Sequence, residues 1–251
     1  WFTPGSNLRL RALTPARVLD TRDGTGDVLG QVAAGQTISL KVTERGGVPA
    51  NARAVALNVT VTEPTDGSYL TVFPAGEARP LASSVNMVRG QTVPNMVLAR
   101  VGTDGRISFY NNSGATHVVA DVVAAFTTDA PGRLVALAPS RVLDTRDGIG
   151  APQAKVGQTP LVLRLTGQAG IPGSNVSAVL MNVTAVTPDR STFITVYPTG
   201  GDRPLASNLN VEAGQVIPNM VLAPVGADGS VAIYNNAGQI ERGYERIDQR
   251  L

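Results

Sequence analysis

Residues 54–62 read Ala-Val-Ala-Leu-Asn-Val-Thr-Val-Thr, with Val55, Leu57, Val59 and Val61 alternating against Ala56, Asn58 and Thr60. A period of two marks a β-strand with one buried face. Working outward, further strands are expected at residues 17–21, 37–42, 69–73, 84–88, 96–101, 107–110 and 117–126. Between them fall the turn signals Asp23-Gly24, Asp66-Gly67, Asp104-Gly105 and Asn112-Ser113-Gly114. No stretch has the period of an amphipathic helix. Seven to nine short strands in about 115 residues describe an all-β fold, a β-sandwich of jelly-roll or Ig-like Greek-key type.

The same text then returns. Arg17 to Gly24 reads RVLDTRDG, and Arg141 to Gly148 repeats it 124 positions later. Asn58-Val59-Thr60 comes back as Asn182-Val183-Thr184, Arg79-Pro80-Leu81-Ala82-Ser83 as Arg203-Pro204-Leu205-Ala206-Ser207, and Tyr110-Asn111-Asn112 as Tyr234-Asn235-Asn236. Solenoid repeats run to about 20–50 residues, so this period is that of a whole domain. The organisation expected is a tandem: a leader or linker at 1–12, one sandwich at 13–127, a second at 134–239, and an irregular charged tail at 240–251. A second like domain adds avidity, which suits binding or display better than catalysis.

The copies part at their ends. Copy one closes with THVVADVVAAF (116–126), whereas copy two reads QIERGYERIDQRL after Gly238, with three arginines, two glutamates and an aspartate. Such a tail does not fill the core positions of Val118, Val119, Val122 and Val123. Copy two is therefore expected to lack its last strand, or to have it replaced by the leader around Leu8, Leu10 and Leu13 or by a neighbouring chain.

Composition narrows the function. Of 251 residues 16% are charged and 4% aromatic, with 27 glycines, 17 prolines, no cysteine and a net charge of +2. Without cysteine there is no disulfide or thiolate site. No stripe of Lys and Arg interleaved with aromatics points to nucleic acid. No run of about 18 apolar residues spans a membrane. Two lysines against nineteen arginines suggest a GC-rich bacterial source, and a chain starting at Trp1 suggests trimming from a longer precursor.

The densest repeated polar cluster is DTRDG. Asp20, Arg22 and Asp23, with Asp144, Arg146 and Asp147, have two readings. One is an Arg–Asp pair closing a turn. The other is a polar pocket for a sugar or a cation, although a calcium loop needs more oxygen ligands than two carboxylates, and the candidate third, Asp27, becomes Ala151 in copy two. No cofactor is expected otherwise. Arg79 and Arg203 form a second pair of candidates, because an arginine beside an aromatic ring on a sandwich face can stack on and hydrogen-bond a saccharide. The rings to consider are Trp1, Tyr69, Phe73, Phe109, Tyr110, Tyr197 and Tyr234, several of which alternation places in the core. The recurring asparagines (Asn58/Asn182, Asn86/Asn210, Asn95/Asn219, Asn111/Asn235) read as ties to bulges and loops.

Catalysis finds little footing. His117 is the one histidine, copy two has no counterpart, and no GxSxG elbow, Walker loop or dinucleotide fingerprint is present. Asp20 with Asp23 is the one repeated acidic pair, set in a short turn rather than across a cleft.

The residues resemble a module of secreted and surface proteins of actinobacteria. Its marks are PxRxLDTR, VPANAxAVxLNVTxT, YLTVxPxG, RPxASxxN, GQTVPNxV and YNxSGxTHVVADVVGYF. Copy one carries nearly all of them, including Pro15-Ala16-Arg17 and Gly47-Val48-Pro49-Ala50-Asn51, and copy two carries them as far as Gly238. The resemblance implies a non-catalytic, β-rich accessory module outside the cell, accompanying a peptidoglycan amidase, peptidase or glycoside hydrolase domain. It transfers no binding residues. The expected role is attachment to cell-wall or environmental polysaccharide. The alternatives are a self-associating structural protein of the cell surface, or a hydrolase using Asp20 and Asp144.

Overall fold

A computed structural model of the protein describes residues 8–135, 137–138 and 140–244. The chain divides after Leu134 into two compact units. The first holds β1 (Arg9–Asp20), β2 (Thr37–Lys41), β3 (Ala54–Thr62), β4 (Ser68–Pro74), β5 (Val85–Met87), β6 (Val93–Arg100), β7 (Arg106–Asn111) and β8 (His117–Thr127). These form two antiparallel four-stranded sheets, ordered β1-β8-β3-β6 and β2-β7-β4-β5. The second holds β9 (Leu143–Asp144), β10 (Leu161–Arg164), β11 (Ala178–Val186), β12 (Thr192–Pro198), β13 (Leu209–Val211), β14 (Val216–Pro224), β15 (Ser230–Asn235) and β16 (Glu241–Tyr244). Its sheets run β9-β16-β11-β14 and β10-β15-β12-β13.

Counted within each unit the two orders are identical: first-eighth-third-sixth and second-seventh-fourth-fifth. This is the jelly roll, in which most sheet neighbours are remote in sequence and only the fourth and fifth strands are joined directly. Of the two sandwich topologies expected, the Ig-like one falls away. Among the described residues there is no α-helix.

The alternation of residues 54–62 does what its period requires. Leu57, Val59 and Val61 are buried in one cluster with Leu40, Leu70 and Phe109 of the facing sheet. In unit two Met181, Val183 and Ala185 bury with Leu163, Ile194 and Ile233. The other face of β3 departs from expectation: Ala56, Asn58 and Thr60 are buried as well. Their short side chains lie on a central strand, flanked by β8 and β6.

Two expectations about the ends are corrected. Residues 9–12 are not a linker but the start of β1, paired along β8 from Arg9 opposite Thr127; Leu10 and Leu13 are buried in unit one and so do not serve copy two. Residues 241–244 of the charged tail are not irregular. They form β16, which pairs with β11 and with β9 and supplies the eighth strand. Strand pairing is a backbone property, so four residues at a sheet can close it without the apolar side chains of VVADVV. Residues 1–7 and 245–251 lie outside the described residues.

Candidate functional site

The DTRDG stretch follows β1 in unit one and β9 in unit two, and both copies fold it the same way. The main chain turns back on itself, with the Asp20 amide donating to Thr25 O at 3.0 Å and the Asp144 amide to Ile149 O at 2.9 Å. The turn depends on Gly26 and Gly150, whose φ angles are +87° and +69°. A Cβ there would lie 2.6 Å from Val18 O and 2.2 Å from Val142 O respectively.

Within this turn Asp20 is 1% exposed. Its Oδ1 accepts from the Arg22 amide (3.1 Å) and Nε (2.9 Å), and its Oδ2 from Arg22 Nη2 (2.6 Å) and Arg17 Nη1 (3.1 Å). Arg17 also reaches across to β8, donating through Nε to Asp121 Oδ1 at 3.0 Å. In unit two Asp144, fully buried, accepts from the Arg146 amide (3.0 Å), Nε (2.9 Å) and Nη2 (2.7 Å), and from Arg141 Nη1 (2.5 Å). The hydrogen bonds from Arg22 hold the Asp20 carboxyl below its ordinary range against the effect of burial. Those from Arg146 hold Asp144 well below it. Asp121 moves the other way: burial raises it, with Arg17 opposing.

Both oxygens of each aspartate are thus occupied by donors of the chain itself. Asp23 and Asp147 are exposed, and Asp23 accepts from the Thr25 amide at 2.9 Å. Asp27 pairs with Arg45. No group of three or more His, Asp or Glu side chains converges on a cation position among the described residues. This geometry is a buried ion-pair lock at the mouth of the turn, the first of the two readings of DTRDG. Arg17, Arg141 and Asp121 escaped the sequence reading of this cluster. Their signals were present: the arginine recurs three residues before each aspartate, and Asp121 is a lone acid in an apolar strand.

The second pair of candidates lies on the outer face of the sheet β2-β7-β4-β5 and its counterpart. Phe109 and Ile233 point into the core, so Tyr110 and Tyr234 point out. The Arg79 guanidinium lies 4.1 Å from the Tyr110 ring centroid, and Arg203 lies 4.0 Å from that of Tyr234. Beside each stack stands a second ring, Tyr69 at 6.4 Å from Tyr110 and Phe193 at 6.3 Å from Tyr234, tilted by 50° and 54°. Phe73, Phe109 and Tyr197 are buried, and Trp1 lies outside the described residues. Phe193 was missed among the candidate rings, although it keeps the 124-residue register with Tyr69.

The loop carrying each arginine is tied down. Thr71 Oγ1 donates to Ala82 O at 2.8 Å, the Val72 amide to Ser84 Oγ at 2.9 Å, and Asn95 Nδ2 to Ser84 O at 2.7 Å. Unit two repeats all three through Thr195, Asn208 and Asn219, at 2.9, 2.6 and 2.7 Å, with an asparagine in place of Ser84. At each tip a leucine stands in solvent, Leu81 at 100% and Leu205 at 93% exposure. Asn111 and Asn235 brace the neighbouring hairpin, donating to the carbonyls of Val32 and Gly114 and of Val156 and Gly238.

No family model matches the chain, and neither does any curated protein sequence. Among solved structures the chain is similar to the N-terminal CBM22-1–CBM22-2 tandem domain of Xyn10C from Paenibacillus barcinonensis. The identity is 10%, the coverage 94% of this chain and 98% of that chain, and the TM-score 0.27. A score that low bears on neither fold nor ligand, which rest on the chain's own geometry.

Proposed function

We propose that the chain is a non-catalytic extracellular accessory module that attaches to cell-wall or environmental polysaccharide through two equivalent sheet faces. One observation carries this reading. Each unit presents an arginine stacked on a tyrosine with a second ring beside it, on a loop held by the same three hydrogen bonds. The rings offer apolar surface to the faces of sugars, and the guanidinium and nearby Asn112 and Asn236 offer polar groups to their hydroxyls. Because Arg79 and Arg203 cover one face of Tyr110 and Tyr234, direct stacking falls to Tyr69 and Phe193. Two such faces on one chain strengthen weak binding at each.

The hydrolase reading loses its residues in this geometry. Asp20 and Asp144 are buried, ionised and bonded to arginines, which suits neither a nucleophile within reach of substrate nor a general acid. The extracellular setting is supported by the motif resemblance. The exposed Leu81 and Leu205 keep the assembly reading in view, since wholly exposed leucines at matching positions also suit a protein contact.

The test is retention of the full chain on insoluble peptidoglycan, chitin, cellulose and β-glucan. Retention on at least one polymer is expected, falling about tenfold or more in the Tyr69→Ala, Phe193→Ala double variant, as loss of stacking at two sites implies. No retention on any polymer, together with concentration-dependent oligomers in sedimentation, would overturn the proposal in favour of assembly.

A further inference from the structure

We infer that the two faces select polysaccharides bearing carboxylates, with Arg79 and Arg203 as the carboxylate receptors; this rests on the polysaccharide reading above. The arginines of the chain divide into groups by what they hold. Arg17, Arg22, Arg141 and Arg146 are committed to Asp20 and Asp144. Arg45 and Arg100 pair with Asp27 and Glu77, and Arg106 donates to Ser39. Arg79 and Arg203 differ. Both are exposed, and among the described residues neither guanidinium has a carboxylate partner or a hydrogen bond, which is also true of Arg53 and Arg89; what sets the pair apart is that each rests on a tyrosine ring.

A ring under a guanidinium does two things. It holds the group in place by cation–π attraction and contact, and it leaves the N–H donors unspent, because a ring face offers no lone pair in their plane. An arginine pre-positioned with its donor fork unspent is built to take a planar, bidentate acceptor. Among polymer substituents a carboxylate fits best. A hydroxyl accepts one donor weakly. A phosphodiester carries the same single charge and also takes the fork, but its tetrahedral oxygens are not coplanar with it, and the teichoic acid arm of the experiment below separates the two.

The loop supports the same reading. It is anchored just after the tip, at Ala82 and Ser84, by hydrogen bonds from β4 and β6, and likewise at Ala206 and Asn208, so the arginine is presented by a loop braced on its C-terminal side. Two residues on, Leu81 and Leu205 add apolar surface of the kind that meets a sugar's C–H face. The arrangement recurs in the second copy although Tyr69 is exchanged for Phe193 and Ser84 for Asn208. What is common to both faces is the arginine, the tyrosine beneath it and the leucine at the tip.

The decisive experiment measures binding of the full chain to soluble polygalacturonate, to the same polymer after chemical reduction of its carboxyls, and to a phosphate-bearing wall teichoic acid. The ladder of variants is Arg79→Lys with Arg203→Lys and Arg79→Gln with Arg203→Gln, with thermal unfolding checked for each. Expected are at least tenfold tighter binding to the acidic polymer than to its reduced form, and a loss of about tenfold in the lysine pair, which keeps charge but loses the fork. Equal binding to acidic and reduced polymer would overturn the carboxylate assignment and leave the polysaccharide reading standing. So would tighter binding to teichoic acid, or a lysine pair indistinguishable from the parent. Failure to bind these and every neutral polymer would remove the polysaccharide reading itself.

Discussion

In unit one, β1 and β8 are 12 and 11 residues long and pair from Arg9 opposite Thr127 to Asp20 opposite Val119. In unit two the described part of their counterparts, β9 (Leu143–Asp144) and β16 (Glu241–Tyr244), pairs at Gly243–Asp144 and Tyr244–Leu143. Where both pairs exist the register is the same: Asp20 faces Val119, which faces Thr60, and Asp144 faces Gly243, which faces Thr184. In both units that shared register lies beside the buried aspartate, where the ion-pair lock holds the turn after the first strand. The carboxylate is the buried member of each lock, so removing its arginine donors would leave a buried charge unpaired, which is costly.

The strongest way to break this comparison is to remove the lock. Asp20→Ala and Asp144→Ala each leave two guanidiniums without their shared acceptor, a cost of about 2–4 kcal/mol. In calorimetry of the full chain each should lower the unfolding of its own unit by about 10 °C. Because the two locks share their geometry, the drops should agree. Markedly unequal drops would show that the locks differ in worth between the units.

A smaller effect is expected from Gly26→Ala and Gly150→Ala. Each places a Cβ against a carbonyl oxygen at a positive φ, at a cost of about 1–3 kcal/mol. Because the two turns match, the shifts should agree between units. Markedly unequal shifts would show that the turns are not equivalent in energy.

The smallest effect separates the units by pH. Asp20 and Asp144 are held below their unfolded range. Each contributes stability that is complete above about pH 4 and fades as pH falls through its folded value. Asp121 is raised by burial, so it binds its proton more readily in the folded state. Protonating it favours folding, and that gain is complete by about pH 4, before the loss at Asp20 sets in. Acid titration of thermal stability should show unit one gaining as pH falls towards about 4 and losing below it. Asp121→Asn should abolish the gain; a gain that persists would assign it to another group.

Much of this was legible from residue order alone. Seven of the eight strand positions of copy one match the structure to within three residues, because apolar runs and turn residues are local signals; β1 begins eight residues earlier than expected, and β3 and β8 are buried on both faces. The lock was visible as a repeated Arg–Asp turn, but its depth was not, since burial of Asp20 depends on β8 and on Arg17 together. The face of Arg79 was visible as an arginine near rings; that the ring beneath it is Tyr110, 31 residues on, was not. The fate of residues 241–244 was misjudged from the charge of the tail. Side-chain composition speaks to burial, whereas β16 forms by backbone pairing with β11 and β9.

The sequence by itself determined that the protein is a tandem of all-β units, because strand period, turn residues and a 124-residue repeat are properties of the chain read in order. Only the tertiary structure decided that each unit is a jelly roll, that Asp20 and Asp144 are buried locks rather than open sites, and that Arg79 and Arg203 rest on tyrosines with their donors unspent. The reason is one of range. Which strand lies beside which, and which side chain covers which, is set by contacts between residues about a hundred apart, and no local pattern records them.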